Sequence, residues 1–504
     1  MVSLNKNILR VTLLSSYILL IALIIFGVST LYSYLNTGAD RSAMLHTEIK
    51  KSDQYLPKIH WQSTNNEGRP IDSENLKAIQ NDYLDAWYVR HIAYKTNTKN
   101  GIEDYFTDNA RENIYQLIIL NSSKDITIES TTFTHNITLE FFSEDGQLAV
   151  ITDRDVTEYK RIYQNKKQVL ETKEISTYKV VLIFEDGFWR IRHMVKETND
   201  IENVAPKAVS VTPLGIKGIN YYPQANPWNM FGDGFSKDTI SKDFKIIKDA
   251  GLNSVRIFVQ YDDFGRANVN LEKLNKLQQT LDAAEENKLK IVVTLFDFYG
   301  DYSVLNWTLN QRHAETIVNA LKNHNALLAW DIKNEPNLDF ETRGKDNVIA
   351  WLENMIDLVK SVDSIHPITI GWSDTNSATI LKDDVDIISF HYYEELDNLD
   401  TKIKALKSKT DKPLVLQEFG LSSYSGFWKP FGDTEKDQAN YYKKAQSIIA
   451  KNNLQFMSWT LYDFDKIPKE VVGRLPWRKN IQKHFGLIDN DGNKKEAFKF
   501  ISQK

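Results

Sequence analysis

Two glutamates attract attention because each follows a short apolar run with the character of a buried β-strand. Glu335 follows Leu327–Ile332 in the segment LLAWDIKNEPN, and Glu418 follows Leu414–Leu416 in PLVLQEFG. If the two runs are strands of one parallel sheet, both side chains lie at the same edge of that sheet. Two carboxyl groups facing one pocket can cleave a glycosidic bond: one protonates the leaving oxygen and the other attacks the anomeric carbon.

Further residues that could contact a substrate fall at or just after the ends of predicted strands: Arg256, Asp297, Tyr299, Asn334, His391, Tyr393 and Trp459. A guanidinium at position 256 would keep Glu418 ionised from inside the barrel, and the Tyr393 hydroxyl would act in the same way. Asn334 can donate to a sugar 2-hydroxyl. Trp459 offers a flat apolar face to a sugar ring. For His391 and Asp297 a structural role fits the sequence about as well.

Strand-like and helix-like segments alternate from Gly215 onward, which is typical of a parallel sheet covered by helices. The predicted strands are Ile216–Tyr221, Ser254–Val259, Lys290–Leu295, Leu327–Ile332, Ile368–Gly371, Ile387–Phe390, Leu414–Leu416 and Met457–Leu461. Amphipathic stretches separate most of them: Ile240–Ala250, Leu271–Glu286, Glu315–Asn323, Val348–Val362 and Asp437–Ala450. This pattern predicts an α/β fold, a (β/α)8 TIM barrel over residues 211–504, with its active site at the carboxyl ends of the strands.

Taken in order, these strand-end residues make the chain from Gly215 to Lys504 resemble the clan A glycoside hydrolases, which include the family 5 cellulases and mannanases. The resemblance rests on Asn334-Glu335-Pro336, Glu418, His391-x-Tyr393, Arg256 and Trp459, and on the closing segment FGLIDNDGNKKEAF. It implies retention of anomeric configuration, with Glu335 as acid/base and Glu418 as nucleophile.

One position departs from family 5, whose members usually carry a histidine just after the third strand. The segment LFDFYGDY offers Asp297, Tyr299 and Asp301 there instead. Both glutamates are still in place, so the departure bears on the family assignment and the substrate rather than on catalysis.

The region 72–200 has a different pattern. Leu76, Ile79, Tyr83 and Trp87 have helical spacing, and alternating strand-like runs follow. Asp-Gly pairs at 145–146 and 186–187 separate apolar runs and predict hairpins. Helices followed by antiparallel strands predict an α+β domain. The order of elements resembles that of the NTF2-like cone, and the sequence suggests a spacer or interaction module.

The N-terminal part of the chain contains an uncharged apolar run, Val11–Leu31, which is long enough to span a bilayer as a helix. Lys6 and Arg10 precede it, and the first acidic residue after it is Asp40. This distribution predicts a cytoplasmic N-terminus (1–10), a transmembrane anchor (11–31) and a linker (32–71). We therefore expect a single-pass protein of the cell membrane with its catalytic domain outside the cytoplasm.

Composition narrows the function classes. The net charge is −5 and no basic stripe dominates any segment, which argues against a nucleic-acid partner. The chain has no cysteine, so disulfides are impossible. No motif for a metal, a nucleotide phosphate or a dinucleotide is present, and we expect no cofactor.

The sequence therefore predicts a membrane-anchored retaining glycoside hydrolase that cleaves O-glycosidic bonds of a β-linked polysaccharide, with endo action. Its partners would be the polysaccharide, the membrane and possible components of polysaccharide synthesis or export machinery. Two alternatives stay open. One is a non-catalytic glycan-binding component of such an assembly, since a fold does not guarantee chemistry. The other is a transglycosylase that uses the same residues with a sugar as acceptor.

Overall fold

The computed structural model describes residues 14–17, 19–21, 23–29, 55–62, 66–198, 215–426, 429–472 and 475–502. The chain divides into two compact units. The first consists mainly of Ile59–Ser130 and Thr134–Asn199, and the second mainly of Asp200–Lys504.

Only part of the segment expected to cross a membrane is described. Residues 14–17, 19–21 and 23–29 are helical, and the rest of 11–31 lies outside the described residues. Among the helices in the described part of the chain, none is both long and apolar enough to span a bilayer. The predicted cytoplasmic residues 1–10 and most of the predicted linker also lie outside the described part. Within the linker, however, Lys58–Trp61 forms a strand, because this short segment pairs with the sheet of the first unit.

The first unit is a helical layer followed by a sheet, as the change of sequence period predicts. Its elements are β1 (Lys58–Trp61), α1 (Ser73–Thr96), α2 (Ile102–Tyr105), α3 (Asp108–Ser123), β2 (Ile126–Thr132), β3 (Thr134–Phe142), β4 (Leu148–Gln164), β5 (Lys167–Glu185) and β6 (Phe188–Thr198). The sheet order is β1-β3-β4-β5-β6, with β2 also paired to β4. Strands β3 to β6 pair antiparallel.

Local sequence explains the boundaries of this unit. The Asp72 side chain caps α1 by accepting a hydrogen bond from the Asn75 amide at 2.8 Å. Asp186 and Gly187 form the two-residue turn between β5 and β6, and both have positive φ, as such hairpin turns require. Helix α1 buries Ile79 and Trp87. The resemblance to the NTF2-like cone stays a prediction.

The second unit is built on a closed barrel. Its strands are β7 (Lys217–Asn220), β8 (Ser254–Gln260), β9 (Lys290–Asp297), β10 (Leu327–Asn334), β11 (Ile368–Trp372), β12 (Ile388–His391), β13 (Leu414–Glu418) and β14 (Gln455–Ser458). Each strand pairs with the next in sequence, all in parallel, and β14 closes the ring on β7. The predicted TIM barrel is therefore confirmed, with all of its strands near their predicted positions.

Helices fill the connections between the barrel strands: α4 (Lys237–Asp249), α5 (Leu271–Glu286), α6 (Trp307–Leu321), α7 (Phe340–Arg343), α8 (Lys345–Val362), α9 (Leu396–Lys407), α10 (Glu435–Lys451), α11 (Lys469–Val472) and α12 (Pro476–Lys483). Short 3-10 helices occupy Val304–Asn306, Pro336–Asp339, Ser377–Thr379 and Glu496–Phe500. Helix α6 begins well before the predicted Glu315, because its first turns bury polar as well as apolar side chains and so blur the helical period.

The strands are buried because the barrel interior and the surrounding helices cover their two faces. One layer of the interior consists of Ile216, Val292, Ala329, Ile387, Val415 and Met457, all nearly inaccessible to solvent. Such a packed layer makes the barrel a solid support rather than a pore. Polar interior residues begin above this layer, toward the carboxyl ends of the strands, where the site lies.

Candidate active site

Glu335 and Glu418 face each other at the carboxyl ends of β10 and β13. One carboxylate oxygen of each, together with a ring nitrogen of His391, lies within 4.8 Å of the others. The Glu418 side chain is 9% exposed and that of Glu335 is 27% exposed, so Glu335 is the more accessible of the two. Glu335 has a φ of 48°, a left-handed conformation that non-glycine residues adopt mainly at turns and functional sites.

Arg256, on β8, is a fully buried cation that binds the side chains around Glu418 from the barrel interior. Its Nη1 donates to Glu418 Oε1 at 2.7 Å, and its Nη2 donates to Asp331 Oδ2 at 2.6 Å and to Asn334 Oδ1 at 2.8 Å. A planar guanidinium can satisfy several acceptors at fixed angles, which fixes the rotamers of the residues it touches. The predicted contact between Arg256 and Glu418 is therefore present, and it comes with a buried partner, Asp331, that the sequence did not indicate.

The surroundings of Arg256 leave no room for a larger residue on β11. A Cβ atom at Gly371 would lie 2.6 Å from Gln417 Oε1 and 2.8 Å from Arg256 Nη2. The Gly371 amide also donates to Asp331 Oδ1 at 3.0 Å. The glycine therefore lets the β11 backbone approach the Arg256 network closely.

His391 ends β12 and contacts both glutamates, and Tyr393, two residues later, contacts Glu418. The Tyr393 hydroxyl donates to Glu418 Oε2 at 3.1 Å. His391 Nδ1 lies 2.8 Å from Glu335 Oε1 and 3.5 Å from Glu418 Oε2, while its Nε2 is buried without a hydrogen-bond partner. Burial lowers the pKa of His391, but the neighbouring Glu418 and Glu335 carboxylates outweigh it and hold that pKa above its ordinary value.

The same contacts act on Glu335. Burial raises the pKa of this carboxyl, but the hydrogen bond and positive charge of His391, with Arg256 and Lys333 beyond, hold the pKa below its ordinary value. Glu335 and His391 are thus a coupled pair in which a proton is stabilised on the imidazole.

The trio of Glu335, His391 and Glu418 is also the group of described residues whose donor atoms could converge on a metal ion. The Arg256 guanidinium, 2.7 Å from Glu418, already supplies a positive charge there and disfavours a cation beside it. The arrangement is better suited to proton transfer and nucleophilic attack by the side chains themselves than to metal binding.

A cleft of about 860 Å³ opens above the two glutamates. Its wall near β7, β8 and β14 is aromatic: Tyr222, Trp228, Phe258 and Trp459. The Trp459 ring centroid lies 6.4 Å from that of Tyr222, 6.2 Å from that of Trp228 and 6.3 Å from that of Phe258. An aromatic wall beside two carboxyl groups suits the apolar face of a sugar ring.

The structure separates the predicted substrate-binding residues into two groups. Asn334, Tyr393, Trp459, Asp297 and Tyr299 line the cleft. Arg256 and His391 do not: both side chains are 0% exposed and lie behind the carboxylates. In the structure their polar atoms contact Asp331, Asn334 and the two glutamates, so both residues position the carboxylates. That they also contact substrate stays a prediction.

Asp297, the last residue of β9, and Tyr299, two residues later, differ in what they offer to the cleft. Asp297 is 5% exposed and accepts a hydrogen bond from the Tyr222 hydroxyl at 3.3 Å. Burial raises the pKa of Asp297 to about 6, although Lys333 and Arg256 oppose the rise. The Tyr299 hydroxyl donates to Asn310 at 2.8 Å, so only the ring of this residue faces the cleft.

Several residues that line the cleft were not predicted. Phe258 on β8 and Lys333 on β10 were missed because neither is the last residue of its strand, and Leu338, Asp339 and Arg343 were missed because they lie in the connection after β10. The segment after β14 that contains α11 and α12 also contributes Val471, Val472, Arg478, Ile481, Gln482 and Phe485. No motif marks this segment. Its only signal is its position, since connections at this face of a barrel build the site.

Comparison with known proteins identifies the family of the barrel. The family described as cellulase (glycosyl hydrolase family 5) matches residues 212–465, half of the chain. The chain belongs to glycosyl hydrolase family 5. The expected family is thereby confirmed, even though Asp297 occupies the region after the third strand where a histidine is usual.

Individual relatives of this family 5 protein are distant. Beta-glucuronidase from Chlorocebus aethiops is 22% identical over 287 residues, which cover 52% of this chain and 40% of that protein. Mannan endo-1,4-beta-mannosidase A from Emericella nidulans is 23% identical over 263 residues, covering 40% of this chain and 67% of that one. An exo-beta-1,4-mannosidase structure from Opitutaceae bacterium strain TAV5 has a TM-score of 0.49 and 19% identity, over 58% of this chain and 61% of that one.

Proposed function

We propose that this protein hydrolyses O-glycosidic bonds of a β-linked polysaccharide by double displacement, with retention of configuration. The observation that carries the proposal is the approach of the Glu335 and Glu418 oxygens to within 4.8 Å. Retaining glycosidases hold their two carboxyl groups roughly 5–5.5 Å apart, whereas inverting enzymes need roughly 6.5–9.5 Å to admit a water molecule. The distance leaves no room for that water.

In the first step, Glu418 attacks the anomeric carbon and forms a glycosyl ester while the bond to the leaving oxygen breaks. Arg256 and the Tyr393 hydroxyl each hold one oxygen of Glu418, at 2.7 and 3.1 Å, and so keep the carboxylate oriented. Asn334 Oδ1 accepts from Arg256, which turns the amide nitrogen of Asn334 toward the cleft as a donor for the sugar 2-hydroxyl.

Glu335 supplies the proton that the leaving oxygen needs. In the unliganded site this proton is shared with His391 along the 2.8 Å contact, and it moves to Glu335 when the leaving oxygen approaches. Once Glu418 has become an uncharged ester, it no longer raises the pKa of His391. Glu335 then accepts a proton from water, the hydroxide attacks the anomeric carbon, and Glu418 leaves as a carboxylate.

The substrate proposal rests on the shape of the cleft. A second pocket of about 460 Å³ shares Trp228, Asp297 and Phe298 with it and also includes Gln260. The binding surface therefore continues beyond the cleavage point, which suits a chain of several sugars and supports endo action. The relatives described as mannosidase and glucuronidase both point to β-linked sugars.

The test of this function is a pair of isosteric variants. Glu418→Gln should reduce hydrolysis of a β-linked oligosaccharide to background. Glu335→Gln should lower kcat by roughly 10²–10⁴-fold, since it removes general acid–base catalysis. Azide should restore turnover of activated aryl glycosides in a Glu335→Ala variant, giving a β-glycosyl azide. Unchanged turnover in Glu418→Gln, with the same thermal unfolding as the wild type, would refute the assignment.

We also propose that the protein is exported and held at the cell membrane by residues 11–31. The support is the uncharged run Val11–Leu31 with Lys6 and Arg10 before it. Membrane fractionation and protease treatment of intact cells would test this proposal. Recovery of the full-length chain in the cytosolic fraction would contradict it.

A further inference from the structure

Two charged side chains at the bottom of the cleft have no part in double displacement. Asp297 ends β9, and Lys333 is the penultimate residue of the neighbouring strand β10. Asp331 of β10 is registered with Thr294 of β9, so both charged residues lie just beyond that pair, toward the carboxyl ends. Both line the cleft, although Asp297 is only 5% exposed and Lys333 only 4% exposed.

The hydrogen-bonding capacity of both groups is largely unused. The Lys333 ammonium lies 3.4 Å from Asp339 Oδ2 and 3.3 Å from the Asn334 carbonyl oxygen, and both contacts are long for an N–H donor. Asp297 accepts one long hydrogen bond, 3.3 Å from the Tyr222 hydroxyl. An ammonium has three donors and a carboxylate about four acceptor sites, so both can take further partners from the cleft.

The two charges are close enough to influence each other without forming a direct ion pair. Lys333 lowers the pKa of Asp297, yet no ion pair joins them in the part of the chain that the structure describes, where Lys333 pairs with Asp339. Burying charges without complete pairing costs free energy. If Asp297 and Lys333 served only to stabilise the fold, they would form a direct ion pair. Instead, they present an acceptor and a donor to the same part of the cleft.

We propose that Asp297 and Lys333 form a hydroxyl clamp that holds a neutral sugar ring at the cleavage point. A ring hydroxyl donates to Asp297 and accepts from Lys333, or two neighbouring hydroxyls divide these bonds. Because the opposite charges offset each other, the clamp favours an uncharged hexose over a uronic acid, which Asp297 repels, and over an amino sugar, which Lys333 repels. This inference rests on the proposed hydrolase function and narrows its substrate class.

The experiment measures kcat and KM of the full chain and its variants on β-glycosides of glucose, mannose, glucuronic acid and glucosamine, as aryl glycosides and as oligosaccharides. The variants are Asp297→Asn, Lys333→Met and their combination, with Glu418→Gln as the inactive reference. Asp383→Asn and Lys382→Met serve as matched controls, since these two residues form an exposed ion pair and neither lines the cleft or the second pocket. Thermal unfolding of each variant separates loss of fold from loss of binding.

Each single variant should lose about tenfold to a hundredfold in kcat/KM on the preferred neutral substrate, as expected for a lost hydrogen bond to a charged group. The double variant should lose less than the product of the two, because both groups bind the same sugar. Asp297→Asn should raise the ratio of glucuronide to neutral activity, and Lys333→Met should lower it. A structural role would change all substrates alike and leave these ratios unmoved.

Two results would overturn the clamp while leaving the hydrolase proposal intact: Glu418-dependent hydrolysis that neither single variant changes, or a wild-type preference for the glucuronide or the glucosaminide over both neutral sugars. The absence of any Glu418-dependent hydrolysis across the panel would overturn both proposals together.

Discussion

Replacement of Arg256 by Met should destabilise the barrel and abolish most activity at the same time. The side chain is fully buried, and its ion pairs to Asp331 and Glu418 are 2.6 and 2.7 Å long. Asp331 is itself 0% exposed, so the substitution leaves a buried carboxylate without its partner. Breaking one side of a buried ion pair costs about 3–5 kcal/mol. For a domain of this size that corresponds to a fall in Tm of roughly 6–20 °C.

The assay combines thermal unfolding with kcat/KM on the preferred glycoside. Arg266→Met is the matched control, because the Arg266 side chain is 67% exposed and its pair with Asp262 is worth about 0–1 kcal/mol. Adding Asp331→Asn to Arg256→Met should recover part of the stability, since it removes the stranded charge, but it should not recover the activity. A Tm within the range of the Arg266 control, or wild-type kcat/KM, would refute the role assigned to Arg256.

Three further predictions concern the groups around the glutamates. His391→Asn should move the basic limb of the kcat/KM–pH profile to lower pH, because the shared proton leaves the wild-type pair at the raised pKa of His391 but leaves the variant at the pKa of Glu335 alone. An unmoved or base-shifted limb would argue against the shared proton. For the wild type, KM on the neutral substrate should rise below about pH 6, where Asp297 becomes protonated amid Tyr222, Lys333, Arg256 and Glu418. Asp297→Asn should flatten this dependence of KM on pH. Initial-rate kinetics from about pH 4.5 to 7.5, a range that brackets the pKa of about 6, would measure it. Tyr393→Phe removes one hydrogen bond to Glu418 and should lower kcat/KM by roughly tenfold with little change in Tm; a larger loss of stability than of activity would contradict its role.

Much of the barrel could be predicted because its strands are short continuous apolar runs. Such runs alternate with amphipathic helices, and a barrel puts its active residues at strand ends. Glu335 and Glu418 could be predicted because they lie at strand ends. Predicted strand limits erred by a few residues, as at Leu461, beyond the observed end of β14 at Ser458, because an apolar run continues past the last ladder hydrogen bond.

The depth of each side chain in the barrel could not be read from the sequence. Arg256 and His391 were predicted to lie at strand ends like the cleft residues, yet Arg256 is the third residue of β8 and both side chains lie behind the carboxylates. Whether a side chain contacts substrate or supports one that does depends on which interior layer it occupies, and that follows from strand register. Asp331 and Lys333 were overlooked for the same reason, since both precede the end of β10.

The segment after β14 was missed on different physical grounds. Helices α11 and α12 are short, and nothing in their composition distinguishes a cleft wall from an ordinary surface connection. Their place is set by tertiary contacts, such as the Ser422 hydroxyl donating to the Ile481 carbonyl oxygen at 2.6 Å and the Ser423 amide donating to that of His484 at 2.9 Å. Contacts of this kind depend on loops that meet only after the barrel closes.

The most direct measurement is covalent trapping of the nucleophile. Incubation with a 2-deoxy-2-fluoro β-glycoside bearing a good leaving group should label the protein once, and mass spectrometry of the digested chain should place the sugar on Glu418. A label on any other residue, or no label while the substrate is turned over to a product of inverted configuration, would contradict double displacement at this site.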